Sequence, residues 1–234
     1  MANHPAEPER KPAALGHILT HAEARRFYDH LGSRQDWQRF YEDPAVDEMV
    51  RHMAFHRSAS VLEFGCGTGR LAERLLRREM PPSARYHGVD LSDTMVGLTR
   101  RRLAPFGERA TVERTDGAPQ IPAETASCDR VVSVYVLDLL SAADTRALLE
   151  EAWRVLEPGG LLGLVSLTHG ATAPARAVEW LWTSVYRFQP SWVGGCRPIS
   201  LEAFLGSAWT VRHRAMVTSW AITSEVIVAE RPAS

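Results

Sequence analysis

The sequence predicts an α/β protein with a doubly wound, mostly parallel sheet carrying helices on both faces, and three observations lead to it. Short apolar runs alternate with amphipathic helical stretches from Val61 onward, a glycine-rich turn joins the first run to its helix, and apolar and polar residues alternate in two closing segments near the C-terminus. At 234 residues, 45% of them hydrophobic, the chain can bury one α/β core and little more, so one domain is expected.

The opening MANHPAEPERKPAA is rich in Pro, Glu and Ala and has no apolar run of the signal-peptide kind, so residues 1–22 are expected to be a flexible tail. The domain then occupies 23–234. ARRFYDHLGSRQDWQRFYEDPAVDEMVRHM reads as two short helices and a longer one beginning near Asp43-Pro44, and gives a helical cap over 23–57. Its aromatic residues Phe27, Tyr28, Trp37 and Tyr41 either pin helices to the core or, at Tyr28, reach a ligand.

VLEFGCGTGRLAERLL, Val61 to Leu76, is a strand, a turn and a helix with Leu71, Leu75 and Leu76 on one stripe. Gly65, Gly67 and Gly69 let the backbone turn tightly and approach a ligand. A dinucleotide fingerprint would place glycine or alanine where Arg70 stands, and Glu63 puts a carboxylate where a pyrophosphate would be repelled but a cation favoured. Those preferences suit S-adenosylmethionine, which carries no phosphate.

YHGVDLSDTMV gives a second strand ending in Asp90, about 20 residues past the turn, the distance at which an acid reaches a ribose hydroxyl pair. Ser92 or Asp93 caps the helix that follows, to which Met95, Val96 and Leu98 give apolar surface, and Arg100 to Arg102 sit at its favourable end. ATVERT is a third strand, followed by Asp116-Gly117-Ala118, whose carboxylate could accept from an adenine amine. CDRVVSVYVLDLL is a buried fourth strand, and LEPGGLLGLVSL turns through Pro-Gly-Gly into a fifth. AWTVRHRAMV and SWAITSEVIVAERP read as two antiparallel strands.

In order and spacing these segments, from Tyr28 to Leu167, resemble the class I S-adenosylmethionine-dependent methyltransferases. The resemblance implies a seven-stranded Rossmann-like sheet with an antiparallel closing strand, S-adenosylmethionine as cofactor and S-adenosylhomocysteine as product. It places the methionine moiety on Glu63, Gly65, Cys66, Gly67, Thr68 and Gly69, the ribose on Asp90 with Leu91 and Met95 alongside, and the adenine on Asp116, Gly117 and Ala118. Ser133 would lie at the methionine end, and Tyr28 would fold over the cofactor.

The acceptor must be defined by connections beyond the strands' carboxyl ends. At the end of the fourth strand, Ser133 to Leu140, Tyr135 and Asp138 could face the acceptor, although Asp138 could simply precede the Ser141 cap of the next helix. The most distinctive segment is an aromatic lid insertion over 169–206, which holds Trp180, Trp182, Tyr186, Phe188 and Trp192. Trp182 and Tyr186 line one helical face that could roof an apolar pocket, or equally form a core helix or a dimer contact. Arg197 could pair an acidic acceptor group or serve the turn after Gly194-Gly195. His169, just past the fifth strand, is a candidate base with Asp138 and Tyr28 as further catalytic candidates; its alternative is a loop histidine without a task.

A net charge of −1 with no basic, aromatic-interleaved run argues against a nucleic-acid partner, and the D/N-P-P-Y motif of base methylation is missing. No segment reads as a membrane span. Three scattered cysteines point to a reducing, cytoplasmic setting, and no CxxC or His-rich spacing predicts a metal. The expectation is methyl transfer to an apolar or aromatic small molecule, natural-product, quinone-like or lipid, by a protein that could form a homodimer. A non-catalytic cofactor-binding partner subunit and a protein methyltransferase are the alternatives.

Overall fold

The computed structural model describes residues 18–188 and 195–233. Seven strands form one sheet: β1 (Ser60–Phe64), β2 (Arg85–Asp90), β3 (Ala110–Arg114), β4 (Cys128–Val134), β5 (Leu156–Leu167), β6 (Thr210–Ser219) and β7 (Ile222–Glu230). Their order is β3-β2-β1-β4-β5-β7-β6, with β7 antiparallel to both neighbours and the other pairings parallel. Chain order reverses between β1 and β4, which opens a crevice at the strands' carboxyl ends, where open α/β sheets bind ligands.

Among the described residues six α-helices flank the sheet: α1 (His21–Leu31), α2 (Arg39–His52), α3 (Arg70–Arg74), α4 (Asp93–Leu103), α5 (Ala142–Val155) and α6 (Ala173–Phe188). On one face Met49 of α2, Met53 just beyond it, and Leu75 and Leu76 beyond α3 pack on Val61, Val132, Val165 and Val226. On the other, Leu148, Leu149 and Ala152 of α5 pack on Leu62, Val131, Leu164 and Ile227. Gly163 in β5 lets α2 come this close, since a Cβ there would stand 2.9 Å from Met49 Sδ. β7 lies between two strands and is buried through its middle.

Three boundaries differ from the sequence reading. α1 begins at His21, capped by Thr20, which accepts from Glu23 N while the Glu23 carboxylate takes Thr20 N, a reciprocal capping box inside the segment read as tail. α2 starts at Arg39, so Pro44 lies inside it and Asp43 is not its cap. Pro44 has no N–H for the Phe40 carbonyl, and that carbonyl accepts instead from the Ser219 hydroxyl at 3.3 Å. β4 stops at Val134 because Tyr135 turns out of the strand with φ of +53°.

Of the lid insertion, 189–194, with Trp192 and Gly194, lies outside the described residues, as does 1–17 of the tail. Trp180, Leu181 and Phe188 of α6 are exposed. Among the described residues no helix is long and apolar enough to cross a membrane.

Candidate active site

The glycine turn is built for close approach. Gly65, Gly67 and Gly69 have φ of +79°, +52° and +77°, which disfavours any side chain, and a Cβ on Gly69 would stand 2.7 Å from Thr99 Cγ2. Gly65 N and Cys66 N donate to Val89 O at 2.8 and 3.0 Å, and the Thr99 hydroxyl donates to Gly67 O at 2.6 Å, so β2 and α4 hold the turn in shape.

Asp90 closes β2 beside it. Its Oδ2 accepts from Gly67 N and its Oδ1 from Ser92 N, both at 2.9 Å. Burial raises its carboxyl pKa against the pull of these bonds. A carboxylate has about four acceptor sites, so lone pairs remain for a ligand's hydroxyls. Glu63, buried in β1, accepts from the Tyr86 hydroxyl at 2.6 Å; burial pushes its pKa up to about 8 despite that bond, with the Asp90 charge adding to the rise.

The N-terminal segment covers the turn. Asp36 accepts from the Thr68 hydroxyl at 2.6 Å and from Arg102 at 2.9 Å, and Asp29 accepts from the Ser92 hydroxyl at 2.6 Å. Arg70 pairs with Asp43 at 2.5 Å, and Arg74 pairs with Asp47. Between this cap and the sheet lies a cleft with Tyr28, Asp90, Leu91, Met95, Gly117 and Tyr135 on its walls. Among its described lining residues there is neither Lys nor Arg. It shares Gln35, Gly65, Gly67, Val134 and Tyr135 with a second hollow beside Glu63, Cys66 and Thr68. Gln35 Oε1 is buried there without a hydrogen-bond partner, next to the space a Cβ on Gly67 would fill.

Behind the cleft Tyr28, Asp138 and Cys196 come together. Burial, then the nearby Cys196 and Asp138 charges, hold the Tyr28 hydroxyl well above its ordinary pKa. Asp138 is fully buried, and burial pushes its pKa up to about 7 although nearby backbone N–H groups and Arg197 pull the other way. Arg197 is buried as well, and its guanidinium donates to the carbonyls of Asp138 and Leu140.

The structure thus brings Tyr28, Gly65, Gly67, Asp90, Leu91, Met95, Gly117 and Tyr135 to one cleft and Glu63, Cys66 and Thr68 to the hollow adjoining it. Other expected residues stand elsewhere. Gly69 shapes the turn from below, and Ser133 donates to Phe64 O at 3.0 Å inside the sheet. Asp116 is exposed on a neighbouring groove, where it accepts from Ala118 N at 2.9 Å. His169 is 68% exposed and pairs with Glu179 at 2.6 Å. Trp182 donates to Cys196 O at 2.9 Å and lines a small separate cavity against β7, while Tyr186 is buried. Sequence reasoning missed Leu19, His21 and Gln35, which line the cleft from the cap; a polar Gln35-Asp36 pair amid the cap's aromatics was the available signal.

Residues 61–160 match the family model described as a methyltransferase domain. Residues 61–160 thus carry a methyltransferase domain, as the class I resemblance implies. The chain is 27% identical over 155 residues to the tRNA N(3)-methylcytidine methyltransferase Mettl2 of Drosophila melanogaster, covering 60% of the chain and 46% of that protein. It is 27% identical to the demethylmenaquinone methyltransferase of Symbiobacterium thermophilum over 67% of the chain and 60% of that protein. The chain therefore spans about half the length of these curated relatives. In fold it is similar to the magnesium protoporphyrin IX methyltransferase of Synechocystis PCC 6803 solved with bound S-adenosylhomocysteine, with a TM-score of 0.64 at 17% identity over 87% of this chain and 97% of that structure.

Proposed function

We propose that this chain binds S-adenosylmethionine across the carboxyl ends of β1, β2 and β4 and transfers its methyl group to an apolar or aromatic small molecule. The observation that carries the reading is the cleft itself: largely apolar walls, Asp90 as an acid and neither Lys nor Arg among its described lining residues to meet a phosphate, with Glu63 in the adjoining hollow, where Arg70 and Arg74 are paired with Asp43 and Asp47. The residues present fit the cofactor. Asp90 offers acceptors to the ribose hydroxyls, Gln35 brings an unpartnered amide oxygen, and the glycine turn leaves room where a Cβ would intrude.

When bound, the cofactor supplies an electrophilic methyl on a sulfonium. The protein's part is to hold the acceptor in line and keep water away, an orientation effect that can contribute roughly 7–11 kcal/mol. Tyr28 and Tyr135 flank the cleft with hydroxyls that burial keeps protonated, so they position and do not accept protons. Asp138, buried behind Tyr28 with its pKa raised to about 7, is not among the residues lining the cleft, so it acts on an acceptor only by way of Tyr28. Exposed and paired with Glu179, His169 takes no part in this assignment.

Two measurements test it. Calorimetry with S-adenosylhomocysteine should show saturable binding that Asp90→Ala weakens. Incubation with methyl-labelled S-adenosylmethionine and a cell extract should put label into the solvent-extractable fraction. Label confined to precipitable macromolecules would overturn the small-molecule reading and favour a protein or RNA acceptor.

A further inference from the structure

We propose that Glu48, His52 and His213 form a binding site for a divalent transition metal of the zinc type, one that clamps the last turn of α2 onto edge strand β6. Glu48 and His52 are four residues apart on α2 and so share one face of the helix. β6 lays His213 against that face, and a ligand atom from each of the three lies within 4.8 Å of the others. Two imidazoles and a carboxylate are a donor set that zinc and its first-row neighbours favour, with water left to complete the shell.

The details single these residues out from an ordinary surface ion pair. Glu48 divides its oxygens: Oε2 holds Arg51, while Oε1 faces both rings, 2.8 Å from His213 Nε2 and 3.7 Å from His52 Nδ1. His213 Nε2 is closed off from solvent and, close as it is to that oxygen, makes no hydrogen bond of acceptable alignment. It is a buried nitrogen with a carboxylate beside it and no bond between them. A cation bridging the two would satisfy both.

The rings of His52 and His213 stack in parallel, 3.5 Å between centroids and 5° between planes. A metal lies near the plane of each imidazole that binds it, so parallel rings cannot share one. Loading therefore turns His52, the more exposed side chain at 39% against 22%, away from its 2.9 Å hydrogen bond to the Glu48 carbonyl. The ligands come from a helix and a strand more than 160 residues apart in sequence, so no local spacing announces them. Other residues of α2, Glu42, Asp43 and Asp47, line the hollow beside the glycine turn. A metal on the last turn would thus anchor the helix that carries one wall of the candidate site.

The test uses the full chain without an affinity tag, stripped with a chelator and titrated with Zn²⁺ by calorimetry and with Co²⁺ by visible absorption. One saturable equivalent of zinc is expected, with a rise in thermal midpoint because the folded state alone presents the site. His52→Ala and His213→Ala should each weaken zinc binding by about tenfold or more. Absence of saturable uptake, or uptake unchanged in the double variant, overturns the site. Should a variant fail to fold, the parent protein still decides: bound cobalt must show the intense bands of four- or five-coordination, and a spectrum of the hydrated ion overturns the proposal.

Discussion

Asp138 shows how one residue can tie chemistry to stability. Its side chain is fully buried, and burial has moved its pKa from the ordinary carboxylate range to about 7. The sign follows from linkage: a group whose folded pKa is raised holds its proton more tightly when folded, so its contribution is complete below the unfolded value near 4 and is lost as pH rises through about 7. Glu42, likewise raised to about 7 by burial, and Glu63, at about 8, add to the same trend. Asp138→Asn, which keeps the shape and cannot ionise, should therefore gain on the parent protein as pH climbs from 5 to 8, by an amount on the order of a few kcal/mol. Urea unfolding at the two pH values checks this, and an identical difference at both would refute it. With label transfer measured alongside, a loss of turnover without loss of S-adenosylhomocysteine affinity would place Asp138 in proton exchange.

At the scale of elements, the hairpin between β6 and β7 carries visible strain. Ser219 pairs with Ile222, so the turn is Trp220-Ala221, and both residues sit at positive φ, +52° and +59°. Two-residue hairpins of this hand favour Asn-Gly or Gly-Gly, because left-handed backbone costs an ordinary residue about 1–2 kcal/mol. Ala221→Gly should accordingly raise stability by roughly 1 kcal/mol, seen as a higher urea midpoint with unchanged slope; an unchanged or lowered midpoint would show that the turn is relaxed. The same hairpin shows what the sequence made legible. Alternation in Thr210–Ser219 and the apolar run of Ile222–Glu230 are local patterns, as are the strand-turn-helix at Val61 and the Ser92 cap of α4, where Met95 N donates to the Ser92 hydroxyl at 3.1 Å. What could not be read was decided by distant partners. The start of α2 was misplaced because Ser219, far along the chain, takes the carbonyl that Pro44 leaves free, and β4 ends early because Tyr135 enters a left-handed conformation while its hydroxyl meets Ser224 at 2.7 Å.

For the molecule as a whole, the cap and the sheet domain meet through polar contacts around the candidate site, in contrast to the apolar packing that holds the sheet to its helices. Asp29 reaches Ser92 and Thr94, Asp36 reaches Thr68 and Arg102, and Arg70 and Arg74 reach back to Asp43 and Asp47. Most of these partners are partly exposed, and surface ion pairs of this kind contribute about 0–1 kcal/mol each. The stretch from α1 to the first half of α2 is therefore the part expected to open at a small fraction of the global unfolding free energy. The later half is different: Met49, and Met53 directly after the helix, are fully buried against the sheet, which fixes α2 at one end and leaves the other to follow the site. Tyr28 and Gln35 lie in the loosely held portion, and both face the cleft. A ligand bridging them to Asp90 and the glycine turn would bind the closed arrangement alone and shift the population toward it. Hydrogen exchange should consequently slow over residues 21–43 when S-adenosylhomocysteine is added, while amides of β4, β5 and β7, already protected by the core, change little. Slowing spread evenly over sheet and cap would mean that the cap is as firmly held as the core before any ligand arrives, and that polar contacts around the cleft contribute more than their exposure allows.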